Sequence, residues 1–212
     1  MVTVGILGAF TLNNWNENRN DSKLEYDYLQ LILADIQADK NLLDSAISFA
    51  EDKMNGLKII KRITMGESVI DSLEWAIRAG AQMGWTVSYD DHVEATYDEL
   101  ISSGHLRLIN NSQLRKSIID YYSFWNHTIE RTHQRRSNYP NLIYKLFDAE
   151  NMPENDLEFR TILKTLKVEG EFLKEMNHEI NYARFIENVS LPGLFEKNNL
   201  IKLLIKKELD ED

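Results

Sequence analysis

The chain has no cysteine, and this absence removes several kinds of site. Without a thiol there can be no disulfide framework, thiol nucleophile, zinc ribbon or iron–sulfur cluster. The compartment is not fixed by this, because an oxidising space permits disulfides without requiring them.

Proline and glycine are also scarce, with 3 and 9 in 212 residues. Such sparse punctuation favours long helices over many short strands. No segment is typical of a strand, and we interpret the apolar run at 106–109 as a turn between helices. The length suits one domain, or one domain plus an anchor. We therefore predict an all-α fold, an antiparallel bundle of about four long helices with short connecting helices.

Basic residues are outnumbered, 24 against 34 acidic ones, which gives a formal net charge of -10. An acidic surface repels phosphates, so we expect no nucleic-acid partner. The same charge keeps a folded domain dispersed in water.

The N-terminal run at 2–12, VTVGILGAFTL, carries no charge. As a helix it covers only about half of a bilayer's hydrocarbon core. It has neither a preceding basic region nor a small-residue cleavage site, so it is a poor signal peptide. Three interpretations remain: a truncated membrane span, an interfacial or buried helix end, and an oligomerisation segment.

A polar collar follows this run at once, with Asn13, Asn14, Trp15 and Asn16. Tryptophan at an apolar–polar junction is typical of a bilayer interface, although Trp15 packed on a neighbouring helix is the alternative. We favour the span, with these four residues at the membrane interface. Residues 1–13 would then be the anchor and residues 14–212 the bundle. The collar contains no proline or glycine, so we predict one unbroken first helix rather than a new start at a Ser22–Glu25 capping box.

Two motifs carry a resemblance to a known family. The collar NNWNENR after VGILGAFTL, and the segment 96–122, TYDELISSGHLRLINNSQLRKSIIDYY, are similar to a bacterial single-span family of unknown function. The resemblance covers essentially the whole chain. It implies a cytoplasmic N-terminus, a helical domain outside the cytoplasm (periplasmic) and no established activity. The family's basic stretch and the first half of its span are missing here, so we expect a truncated form.

Within the second motif we single out five residues for structural roles. Tyr97, Glu99 and Arg115 are predicted to form a buried polar cluster that joins two helices. Ser103 is predicted to end a helix, and Gly104 to cap it with a positive φ.

Apolar residues along 24–63 recur at helical spacing, and we predict that they form a buried stripe: Ile32, Ile36, Leu43, Ile47, Ala50, Met54 and Leu57. The charged residues lie mostly off this stripe and are predicted to be solvated: Asp35, Asp39, Lys40, Asp44, Glu51 and Lys53.

Glycine, proline and capping residues divide the rest of the chain into further elements. We predict a turn at Gly66, a helix at 69–83 and a connection at 84–88. A helix should then run from Asp91 to Ser103, and another from 112 to about 147, capped by Asn110 or Asn111. Pro140 should break that helix near Tyr139. A helix capped by Asn155 should run to about 188, and Pro192 with Gly193 should reset the chain before a last helix.

Few residues suggest chemistry. Glu175 and His178 have the Glu-x-x-His spacing of di-iron bundles, but the motif occurs once, so we expect a solvated face and no metal or cofactor. The one basic cluster, Arg131, His133, Arg135 and Arg136, is a candidate contact for an anion, a lipid headgroup or a protein partner. On so acidic a chain, however, we expect this cluster to pair with acidic residues of neighbouring helices.

Three functions compete. The leading hypothesis is a membrane-tethered extracytoplasmic interaction or sensory-like module. The second is a soluble scaffold that assembles into homo-oligomers. The third is a carboxylate-based hydrolase, which we do not favour, since no catalytic residue stands out and the chain is not expected to be an enzyme.

Overall fold

Helices account for the regular structure of the chain. The computed structural model describes residues 2–67, 75–76, 79–80, 92–147, 153, 155–166 and 170–211. Within these ranges there is no strand, and the predicted all-α fold is confirmed.

The elements follow one another along the chain as helices joined by short turns. They are α1 (Val2–Thr64), α2 (Ala95–Ser102), a 3₁₀ turn (His105–Leu108), α3 (Ser112–Gln134), α4 (Tyr139–Leu146), α5 (Asp156–Thr165), α6 (Gly170–Phe185), a π-helical turn (Ile186–Ser190) and α7 (Leu191–Glu211).

Helix α1 is unbroken over 63 residues, as the collar without proline or glycine predicted. It ends at the predicted turn, where Gly66 has φ +93° and its N–H donates to the Ile63 carbonyl at 2.9 Å. A positive φ is strained for residues with a Cβ, which is why glycine stands there. Of the predicted helix at 69–83 only 75–76 and 79–80 are described, and both pairs are helical; the connection at 84–88 lies outside the described residues.

Local signals also placed the next helix ends correctly. Gly104 has φ +71° after α2, as predicted. Asn111 is the cap of α3, because its side-chain oxygen accepts the N–H groups of Gln113 and Leu114, both at 3.1 Å. The predicted break at Pro140 separates α3 from α4. Asn155 caps α5 through the N–H groups of Leu157 and Glu158.

Three predicted boundaries were wrong. Helix α2 begins at Ala95, and Asp91 lies outside the described residues. The helix expected from 155 to 188 occurs as α5 and α6. Pro192 does not reset the chain, because α6 continues through the π turn into α7. The wider π turn relieves the clash between a proline ring and the preceding turn of helix.

The chain folds into two compact units that are interleaved in sequence. Unit 1 consists of Met1–Lys40, His92–Phe124 and Glu196–Asp212; unit 2 consists of Asn41–Asp91 and Trp125–Phe195. Buried apolar residues of unit 1 come from α1, α2, α3 and α7, with Ile32, Leu100, Ile118 and Ile205 as examples.

Unit 2 has a continuous apolar core. It joins α1 (Leu57, Ile60) to α4 (Ile143), α5 (Leu163) and α6 (Met176). Helix α1 also approaches the described residues at 76 and 80 very closely: a Cβ on Gly56 would lie 2.7 Å from the Ala76 carbonyl oxygen. Only a glycine fits at that crossing without a shift of the backbone.

The predicted stripe of α1 is buried apart from Ile47, which is exposed. The predicted solvated face needs a larger correction. Asp39 and Lys53 are 0% and 2% exposed. Both charges therefore lie in the interior, each with partners on other segments of its own unit, because an unpaired buried charge would be too costly.

Candidate functional site

Residues 11–23 of α1 form an exposed helical segment, which we call the arm. Every residue from 11 to 23 is exposed, including Leu12 at 68% and Trp15 at 59%. Side chains one helical turn apart contact each other along the arm. Asn13 donates to Glu17 at 2.7 Å, and the Arg19 guanidinium carbon lies 5.8 Å from the centre of the Trp15 ring.

The predicted interface residues Asn13, Asn14, Trp15 and Asn16 all lie on this arm. An indole beside a guanidinium suits the boundary between lipid and water, where an apolar ring and a charge are both solvated. Among the described residues, no helix has an apolar stretch long enough to cross a membrane.

Beyond the arm, α1 carries three buried charged side chains at a regular interval of two heptads. They are Glu25, Asp39 and Lys53, and each is less than a tenth exposed. Positions separated by whole heptads lie along one side of a helix, so the three side chains share one side of α1. Each one binds a different partner segment.

Glu25 holds the loop before α3. Its two carboxylate oxygens accept the backbone N–H and the side-chain amide of Asn110, each at 2.7 Å. One turn further on, the Tyr28 hydroxyl donates to Glu99 at 2.9 Å and lies 2.9 Å from His105 Nδ1. Helix α1 thereby fixes both ends of the segment between α2 and α3.

The motif residues predicted to form one polar cluster have separate partners. Tyr97 stacks on Tyr122, with ring centres 4.2 Å apart. Glu99 is exposed and accepts from Tyr28, and the Arg115 guanidinium donates to the Ile109 carbonyl at 2.7 Å. A Glu99–Arg115 pair is absent from the described contacts, since each group is engaged elsewhere.

Ser103 lies at the end of α2, next to Gly104. Its hydroxyl donates to the Glu99 carbonyl at 2.6 Å, and its backbone N–H donates to the same carbonyl at 2.9 Å. The hydroxyl therefore satisfies a helix end, as expected of a serine in that place.

Asp39 is the centre of a buried network in unit 1. One carboxylate oxygen accepts the Tyr121 hydroxyl at 2.6 Å, and the other accepts the Val93 N–H at 2.8 Å. The Asn198 amide donates to the Tyr121 hydroxyl at 3.2 Å and to the Ile36 carbonyl at 2.8 Å. Burial raises the pKa of Asp39, while the two bonds that its carboxylate accepts and the nearby His92 oppose the rise.

Lys53 forms the corresponding centre in unit 2. Its ammonium group pairs with the Glu179 carboxylate, which also accepts the Ser137 hydroxyl at 2.5 Å. Burial lowers the pKa of Lys53, and the attraction of Glu179 opposes that shift. The pair lies at the bottom of a small open pocket, to which Arg136 and Tyr182 also contribute. Burial raises the pKa of Tyr182 to about 12.

The basic cluster is exposed and divides by partner. Arg131 and Arg135 lie over the Phe185 ring, at 5.5 and 4.3 Å from its centre. Arg136 lines the pocket of Lys53, and His133 is exposed on α3. Among the residues that the structure describes, an aromatic ring rather than an acidic side chain therefore contacts the first two.

Glu175 caps α4 by accepting the Asn138 N–H at 2.8 Å, and His178 lies 3.8 Å from the same carboxylate. Among the described residues, no group of three metal-ligating side chains comes together. The Glu-x-x-His spacing thus serves a helix end.

The collar, the arm and the segment held by Glu25 all fall within the part of the chain that matches a family model. A model described as a family of unknown function, DUF6090, matches residues 1–134 of the 212. The chain belongs to the DUF6090 family. Neither the curated proteins nor the solved structures contain a match to it.

The DUF6090 match includes some of the buried polar groups and leaves out others. Glu25, Asp39, Lys53 and Tyr121 lie inside it. Glu179 and Asn198, their partners from α6 and α7, lie beyond it. The family therefore supplies the charges of α1, and the C-terminal third of this chain supplies two of the groups that bind them or their partners.

Sequence reasoning missed Asp39 and Lys53 as interior residues, although a signal was present. Counting by sevens from Ile32 gives 39, 46, 53 and 60, and all of these positions are buried. Charge was taken as evidence of exposure, whereas the heptad period was the better guide.

Proposed function

We propose that this chain is a membrane-tethered helical interaction module, in which the arm of α1 inserts into a bilayer and the rest of the chain remains in water. The observation that carries the proposal is the arm itself. Leu12, which is the last residue of the uncharged run at 2–12, and Trp15 are both exposed to solvent. Exposed apolar side chains in such an arrangement are typical of a lipid contact.

An interaction or sensory-like role fits the course of α1. The helix that carries the arm also supplies Asp39 to the network of unit 1 and Lys53 to that of unit 2. A ligand or protein that alters either network acts on residues of the same helix that meets the lipid. We place the units on the extracytoplasmic side, following the topology of the single-span family that the collar resembles.

We further propose that the role is not enzymatic. Asp39 is the carboxylate whose raised pKa would suit acid–base chemistry. Its two oxygens already accept Tyr121 and Val93, which is the role of a structural carboxylate.

Vesicle binding by the full chain tests the tether. Sedimentation with phosphatidylcholine–phosphatidylglycerol vesicles should recover the protein with the lipid. Leu12→Glu should lower the partition coefficient at least about tenfold, because burying a leucine contributes about 1.5–3 kcal/mol. Trp15→Gln should also weaken binding. Trp75, which is exposed in unit 2, provides the matched control, and Trp75→Gln should leave binding unchanged.

Equal binding by wild type and Leu12→Glu, or no binding by either, would refute the tether. Topology has a separate test, because the chain has no cysteine to interfere. A Leu157→Cys variant should react with a membrane-impermeant maleimide in intact cells if unit 2 lies outside the cytoplasm. Labelling only after lysis would place it inside.

A further inference from the structure

An open apolar groove with acidic sides lies on unit 2. Ile47 of α1 lines it together with Leu191, Pro192 and Phe195 of α7. The carboxylate side chains of Glu51 and Glu187 line the same groove. We refer to these residues as the acidic groove.

The π-helical turn shapes one side of the acidic groove. Glu187 belongs to this turn, and Leu191 is the residue that follows it. A π turn is less favourable than a regular helical turn and is frequent at functional sites. The groove therefore combines an apolar lining, of which Ile47 and Pro192 are exposed, with an unusual backbone turn.

An exposed surface that is also apolar, but carries a positive charge, lies on the part of α7 that belongs to unit 1. Leu200 and Leu203 are exposed, Leu203 at 66%, and Lys206 is exposed one turn further on. Spacings of i, i+3 put the three side chains on one side of the helix. We refer to them as the leucine surface.

We propose that the acidic groove of one copy binds the leucine surface of a second copy. The groove offers apolar walls to the two leucines, and its carboxylates offer an opposite charge to Lys206. Two molecules with a net charge of -10 repel each other, so a contact between them needs local attraction of this kind. The leucine surface is exposed, apolar and basic, and it is present on every copy.

Sedimentation velocity of the full chain tests this in non-ionic detergent, which covers the arm. The wild type should show a concentration-dependent increase in protein mass. Leu203→Glu and Glu187→Lys should each raise the dissociation constant at least tenfold. Combining Glu187→Lys with Lys206→Glu exchanges the two charges and should restore association to within about threefold of wild type.

Leu157 is the matched control, because it is an exposed leucine of unit 2 outside the groove. Leu157→Glu should leave the dissociation constant unchanged. A wild-type monomer at every concentration, or the same effect from Leu203→Glu and Leu157→Glu, would overturn the proposal. Failure of the charge exchange to restore association would also overturn it. Association that occurs only without detergent would also refute the proposal. It would mean either that the copies associate through the arm, or that the groove binds an acyl chain rather than a second copy.

Discussion

Lys53 is a buried charge in unit 2 whose ion-pair partner is also buried. It is 2% exposed and pairs with Glu179, which is equally buried and also accepts the Ser137 hydroxyl. Both side chains are 2% exposed, so removing one leaves the other charge largely desolvated and without its ion-pair partner. The pair therefore adds little net stability, but the fold is strongly destabilised when only one of the two charges is removed.

Removing one partner should cost far more than removing both charges. Lys53→Met should lower the free energy of unfolding by about 3–5 kcal/mol, because it leaves the Glu179 carboxylate buried and unpaired. The double variant Lys53→Met with Glu179→Gln should recover at least half of that loss, since the amide still accepts Ser137. Urea denaturation followed by circular dichroism measures both. Strictly additive losses would contradict the pairing.

For single residues, the sequence predicted the roles of side chains that bind the backbone of their own helix end. It did not predict the roles of side chains whose partners are distant in the sequence. Ser103 and Asn111 satisfy groups within their own helix ends, so their roles follow from neighbouring sequence. Tyr28 and Asp39 bind groups that are far away in the sequence, on segments beyond the end of α1. Nothing in the nearby sequence identifies such partners.

At the scale of elements, the close crossing of α1 near Gly56 makes a sharp prediction. Gly56→Ala should lower the free energy of unfolding by about 1–3 kcal/mol, because the added methyl group overlaps the Ala76 carbonyl oxygen. This loss should outweigh the gain of up to about 1 kcal/mol that alanine brings to a helix.

Gly170 is the control, since it begins α6 and a Cβ there would meet no atom within 4 Å. Gly170→Ala should be neutral or slightly stabilising. Thermal or urea unfolding of both variants measures the contrast. Equal stability of Gly56→Ala and wild type would show that the helices can separate without cost.

The helix ends that were predicted differ from the one that was missed in what the sequence shows. Gly66 and Gly104 accept the positive φ that those ends need, and Pro140 lacks the N–H that a helix interior uses, so the sequence marks all three places. The π turn at 186–190 precedes Pro192, which was taken to end a helix although the helix continues through it. A pattern read along one segment does not show whether a helix ends at a proline or widens one turn and continues.

For the whole molecule, buried tyrosines determine how stability changes at alkaline pH. Burial raises the pKa values of Tyr121, Tyr122, Tyr139 and Tyr182 above the ordinary value of 10.0. Above pH 10 the unfolded chain releases these protons first, so the folded state holds more protons and stability falls as pH rises. Lys53, with its lowered pKa, acts in the opposite direction only up to about 10.5.

A variant at Tyr139 tests the contribution of one of these buried hydroxyl groups. Its hydroxyl is fully buried and makes no hydrogen bond with the described residues, so Tyr139→Phe should be close to neutral at pH 7. Between pH 10.5 and 11.5 the variant should lose stability less steeply, by up to about 1.4 kcal/mol per pH unit. Tyr144, exposed on the same helix, is the control. Urea titrations at each pH measure the slopes, and equal slopes for Tyr139→Phe and Tyr144→Phe would contradict the assignment.

The three charges spaced by two heptads along α1 also guard against misregistration. A long helix whose interior follows a heptad repeat can slide past its partners and still bury apolar groups. A slip of two heptads in one direction would set the ammonium of Lys53 against the Val93 N–H, which is also a donor. The same slip in the other direction would set Asp39 against Glu179, which is also a carboxylate. Both slips place two groups of the same kind together in the interior, so the native alignment of α1 is favoured over either of them.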